Sequence, residues 1–141
     1  MGKDADFKNN IKIQGFVGIT NTVEPKGVYN PDKVFGKDKT IIVLESSSTG
    51  DRKVHIGEMT QFLSYVLPNP KWEKCYYVLF LCGNSTEENE LKRLQSIYDA
   101  YPISKTNKNK IVAICIQDQP SNEELRELTI EKIEKFKKLS L

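Results

Sequence analysis

Histidine and tryptophan occur once each in these 141 residues, and cysteine only three times. Cys75, Cys82 and Cys115 show neither CxxC nor Cys/His spacing, so no zinc motif is present. Each lies in an apolar, strand-like run, and all three are expected as buried, reduced thiols of a cytoplasmic protein. No run approaches the roughly 20 apolar residues that span a bilayer, so no membrane partner is expected. The opening Met1-Gly-Lys-Asp-Ala-Asp-Phe-Lys lacks an apolar signal core, which argues against secretion. Gly2 would suit myristoylation only with Ser or Thr at position 6, where Asp6 stands. A dominant charge is missing too: the net value is +2. No whole-molecule field demands a nucleic acid, although a local basic groove would be compatible with one. Ser46-Ser-Ser-Thr-Gly50 lacks the GxxxxGK[ST] spacing of a P-loop, which argues against nucleotide binding there.

What is present suits one folded domain spanning residues 1–141, with 1–30 the least defined segment. Hydrophobic content is 38% and charged content 28%, a globular balance. Ile11–Ile19 alternates partly and reads as a strand. Pro25, Gly27 and Pro31 then break the chain. Val34-Phe35 and Thr40–Leu44 read as a hairpin joined by Gly36-Lys-Asp-Lys39. Ser46–Asp51 reads as a polar turn.

Residues 54–67 carry Ile56, Met59, Phe62, Leu63, Val66 and Leu67 on one helical face, and Pro68 stops them. Cys75–Cys82 and Ile111–Ile116 read as buried strands. Ser85–Glu88 and Ser121–Glu124 have capping-box form. The first opens a helix with Leu91, Leu94, Tyr98 and Tyr101 inward. The second opens one helix running through Leu125, Leu128, Ile133 and Phe136, acidic at its start and basic at Lys135, Lys137 and Lys138. The order predicts an α/β fold with a central mixed β-sheet flanked by helices.

The chemistry concentrates between residues 31 and 65. A hairpin would bring Asp32, before its first strand, toward Glu45, at the end of its second. Two converging carboxylates can hold a divalent cation, here Mg²⁺ or Mn²⁺. Glu58, Gln61 and Tyr65 lie within about 60° on a helical wheel, at the edge of the apolar stripe. His55 falls on the apolar side and reads as structural rather than as a general base. Trp72 is expected to pack at the core edge, and Lys105, Lys108 and Lys110 to form an exposed basic connector.

Pro31-Asp32, the hairpin, Glu45 after Ile41-Ile-Val-Leu44, and Gln61-Phe-Leu-Ser-Tyr65 on the next helix together resemble the PD-(D/E)xK nuclease family. That family has restriction-endonuclease-like and RecB-like branches. The resemblance covers roughly residues 29–82. It implies a restriction-endonuclease-like core and a metal-dependent DNA endonuclease, giving 5′-phosphate and 3′-hydroxyl ends. Asp32 and Glu45 would be its metal ligands. One departure matters: Ser47 stands where the family has its lysine. Lys53, reaching back across the Ser46–Asp51 turn with Arg52 beside it, is the candidate replacement.

Catalytic roles are thus expected for Asp32, Glu45, Lys53 and Gln61. Supporting or DNA-contacting roles are expected for Glu58, Tyr65, Ser47 and Arg52. DNA is the expected partner, and cutting both strands with one site each favours a homodimer or larger assembly. Ser47 also supports a rival reading, a nuclease fold without catalysis that serves as a DNA-binding or assembly module. A third reading is a generic α/β binding domain in which Asp32 and Glu45 never meet.

Overall fold

Runs of β-branched and aromatic residues supply the middle of the molecule. The computed structural model describes residues 3–19, 31–83, 85–102, 107 and 109–141. Within them the chain forms α1 (Lys3–Asn10), β1 (Val17–Gly18), β2 (Lys33–Lys37), β3 (Thr40–Ser47), α2 (Arg52–Val66) and β4 (Lys74–Leu81). It continues with α3 (Glu87–Ala100), β5 (Ile111–Asp118), α4 (Asn122–Arg126), α5 (Ile130–Glu134) and β6 (Lys137–Lys138). The six strands make one sheet in chain order. β1, β2 and β3 pair antiparallel, β3, β4 and β5 pair parallel, and β6 returns antiparallel on β5. The expected mixed sheet with flanking helices is what forms.

The three parallel strands are apolar at successive positions because both faces are covered. Alternation sends Ile41, Val43, Tyr77, Leu79 and Ile114 to a core with Phe62 of α2 and Leu94 of α3. It sends Ile42, Leu44, Val78 and Phe80 to a second core with Phe7 of α1, Leu125 of α4 and Ile133 of α5. Each such side chain contributes about 1.5–3 kcal/mol by leaving water. The same alternation places Glu45 and Ser47 on the α2–α3 face, at the carboxyl end of β3.

Several local expectations give way to tertiary contacts. The strand expected over Ile11–Ile19 shrinks to Val17–Gly18. Ahead of it α1 forms, and Phe7 and Ile11, one helical turn apart, are both buried. Ile13 instead bridges Leu128. The hairpin turn is Asp38-Lys39, with Asp38 at φ 54°. Gly36 belongs to β2, where a Cβ would stand 2.6 Å from Ile19 Cδ1 and 3.4 Å from the Trp72 ring. Trp72 is itself buried in the core rather than at its edge. β3 runs on through Ser46 and Ser47, which are buried and not part of a turn.

α2 starts two residues early because Asp51 caps it, accepting from the Lys53 amide. α3 is capped by Thr86, not Ser85. The capping box at Ser121 and Glu124 is present. The single last helix is absent: Leu128 is drawn to Ile13, Thr129 caps a separate helix, and Lys137–Lys138 become an edge strand. All three cysteines are thiols; Cys82 is half-buried rather than buried.

Lys110 is not a solvated connector residue. Its ammonium donates to the carbonyls of Val66, Leu67 and Asn69 at 2.8, 3.1 and 2.7 Å, closing the C-terminal end of α2. Lys105 and Lys108 lie outside the described residues. The ends of β3 and β4 are pressed together at Gly83, where a Cβ would stand 2.2 Å from the Ser48 carbonyl oxygen. Gly83→Ala should therefore force backbone apart and cost on the order of 1–3 kcal/mol. Urea denaturation would measure it.

Candidate active site

The hairpin register sets Asp32 against Glu45 as the continuation of the Lys33–Leu44 pair. The two carboxylates then clamp the open end of the hairpin. The Asp32 amide donates to Glu45 Oε1 at 3.0 Å, and the Ser46 amide donates to Asp32 Oδ2 at 2.8 Å. Glu45 is buried, while the Asp32 side chain retains 23% exposure. One acid is thus sequestered and the other open to solvent.

Glu58 of α2 brings its carboxyl into hydrogen-bonding contact with Glu45. Burial first, then the Glu58 and Asp32 charges, push the Glu45 carboxyl from its ordinary 4.5 up to about 9. The Asp32 amide pulls the other way without reversing this. Among the described residues, no three His, Cys, Asp or Glu side chains stand as a ready-made metal cage. The arrangement is an acid pair with a third carboxyl against its buried member. A cation reaches it from the opposite layer: Lys8 of α1 places its ammonium 3.9 Å from Asp32 Oδ1.

Ser47 faces a different network. Its hydroxyl lies 2.8 Å from His55 Nε2, and His55 Nδ1 lies 2.7 Å from Glu90 Oε2. Arg93 donates to Glu90 Oε1 at 2.7 Å. Glu90 thus bridges His55 and Arg93, one carboxylate oxygen to each. His55 and Glu90 are fully buried. On the other face, the Ser46 hydroxyl donates to Gln119 Oε1 and lies 3.6 Å from Cys82 Sγ. His55 is interior, as its place on the helical wheel implied, and its partners tie β3, α2 and α3 together.

The remaining predicted residues disperse along α2. Lys53 is exposed in the first turn, and the Arg52 side chain lies outside the described residues. Gln61 is exposed about 4.5 Å further along the axis than Glu58. Tyr65 is about 10 Å beyond Glu58, where its hydroxyl accepts from the Trp72 indole at 3.4 Å. Lys8, Glu90 and Arg93 were not anticipated. Glu90 did leave a signal: it shares the i, i+4, i+8 line of Leu94 and Tyr98, so it was bound for the interior.

Between α1, β1, β2 and α4 lies an open groove of about 780 Å³, lined by Lys8, Lys12, Lys33 and Arg126 among others. No protein-family model, curated protein or solved structure matches this chain.

Proposed function

We propose that this chain is a metal-dependent DNA nuclease with a restriction-endonuclease-like core. The observation that carries the reading is the acid pair: Asp32 and Glu45 converge at a strand end, with Glu58 against the buried member. The order hairpin, helix, parallel strand over β2, β3, α2 and β4 supports it. Mg²⁺ or Mn²⁺ suits hard oxygens and keeps several waters, so two carboxylates and a substrate phosphate suffice without a protein cage. Asp32 and Glu45 would hold the ion, whose chemistry is to polarise the phosphate and activate water. Glu58 keeps Glu45 in place through their shared contact. Lys8, already 3.9 Å from Asp32, is the better candidate than Lys53 for the cation that offsets charge on the phosphate.

Cleavage of supercoiled plasmid with Mg²⁺ or Mn²⁺ tests this. Wild type should nick, and Asp32→Ala and Glu45→Ala should abolish nicking with the fold retained. Lys8→Ala should slow it by about 10²–10³-fold, the scale for one lost charge stabiliser, and Lys53→Ala should matter far less. No cleavage of plasmid or single strands would leave the rival reading, a non-catalytic nuclease fold that binds DNA or assembles. The observation favouring that rival is Ser47, held by His55 where the family has a lysine.

A further inference from the structure

We infer that the groove between α1, β1, β2 and α4 is a phosphate-tracking surface for duplex DNA that leads to the acid pair. The choice of ligand rests on the nuclease reading; the choice of surface rests on charge and place. Lys8, Lys12, Lys33 and Arg126 face the groove against one carboxylate, Glu127. The chain as a whole is nearly balanced at +2, so this four-to-one excess of cations is a local feature of the groove. Lys12 and Arg126 are exposed, and the Arg126 guanidinium also donates to Asn10 Oδ1 at the end of α1.

The groove touches the site at Asp32. Lys33 follows Asp32 directly, and Lys8 belongs to both, lining the groove while reaching Asp32. Lys33 extends over the Phe35 ring, 5.6 Å from its centroid, and both residues line the groove. A backbone laid along these four cations would run toward Asp32, the partly exposed member of the acid pair. Such contacts read phosphate, not sequence, and they need no metal.

The test is fluorescence anisotropy of a short labelled duplex without divalent metal, across a salt series. Four phosphate contacts should weaken wild-type binding on the order of a hundredfold between about 50 and 200 mM salt. Lys12→Glu with Arg126→Glu should bind at least about tenfold more weakly at low salt and lose only about tenfold over the same range. Lys12→Gln with Arg126→Gln should fall between. Lys92→Glu, a reversal on exposed α3 surface, should behave as wild type, and circular dichroism checks each fold. A double reversal with wild-type affinity and salt slope overturns the groove, as does a wild type that binds no duplex. Cleavage separates the two readings. Groove-dependent binding without cleavage keeps the groove and ends the nuclease. Cleavage abolished by Asp32→Ala but indifferent to the groove variants at low DNA concentration keeps the nuclease and ends the groove.

Discussion

His55→Ala is expected to cost the fold about 3–5 kcal/mol, the range for removing one partner of a buried, hydrogen-bonded charge network. The imidazole fills interior space and serves two groups at once. Without it the Ser47 hydroxyl loses its ring partner and Glu90 loses one of its two donors, away from water. Arg93 still holds the other Glu90 oxygen, but its side chain is about a third exposed and cannot make up the loss. Glu90→Ala should be comparably harmful, because it strands both His55 and Arg93. The double variant should cost clearly less than the sum of the singles, since each already destroys the contact the other removes. Urea denaturation of the four proteins measures this. Additive costs would mean that the ring and the carboxylate act as separate packing elements.

The second large effect is on pH dependence. The folded chain holds a proton on Glu45 up to about pH 9, whereas the unfolded chain releases it near 4.5. Between those values the unfolded state binds fewer protons, so stability falls as pH rises, by at most about 1.4 kcal/mol per pH unit. The contribution is complete below pH 4.5 and gone above about 9. Wild type should therefore unfold at less urea at pH 8.5 than at pH 5.5. Glu45→Gln, neutral throughout, should flatten that trend and be the more stable protein at pH 8.5. Excess Mg²⁺ at pH 8.5 should raise the midpoint of wild type and leave Glu45→Gln unmoved, a readout independent of cleavage. A wild-type profile that rises over this range would mean that Glu45 ionises in the folded state.

The sheet was legible because its strands are continuous apolar runs such as Ile41–Leu44 and Cys75–Leu81, bounded by turn residues. The meeting of Asp32 and Glu45 was legible for the same reason: a short hairpin leaves few registers, and alternation puts both acids on one face. Contacts made by layers packed after the sheet forms were not legible. Lys8 reaches Asp32 only because α1 lies across the far face, and nothing near Lys8 announces it. Glu90 meets His55 across 35 residues of chain. Each nevertheless sits on the apolar line of its own helix. Two ionisable groups on buried faces of neighbouring helices call for each other, because neither can stay charged and alone in the interior. The split of the last helix was hidden because its periodicity survives the break. Leu125, Leu128 and Ile133 all reach the core, with Thr129 restarting the turn between them.

The short strand β6 bears on how two copies could associate. It offers two residues of pairing edge, and both are lysine. A two-fold joining of sheets along that edge would set the ammonium groups of one protomer against their own counterparts. Like charges directly opposed across strands repel, and there are too few backbone hydrogen bonds to offset them. Lys137 is also engaged with Glu87, 3.1 Å away, and Lys138 with the Glu134 carbonyl, so neither could swing clear without giving up a contact. The β6 edge thus works as a guard against end-to-end growth of the sheet. Two copies of the chain would therefore meet by some route other than the β6 edge.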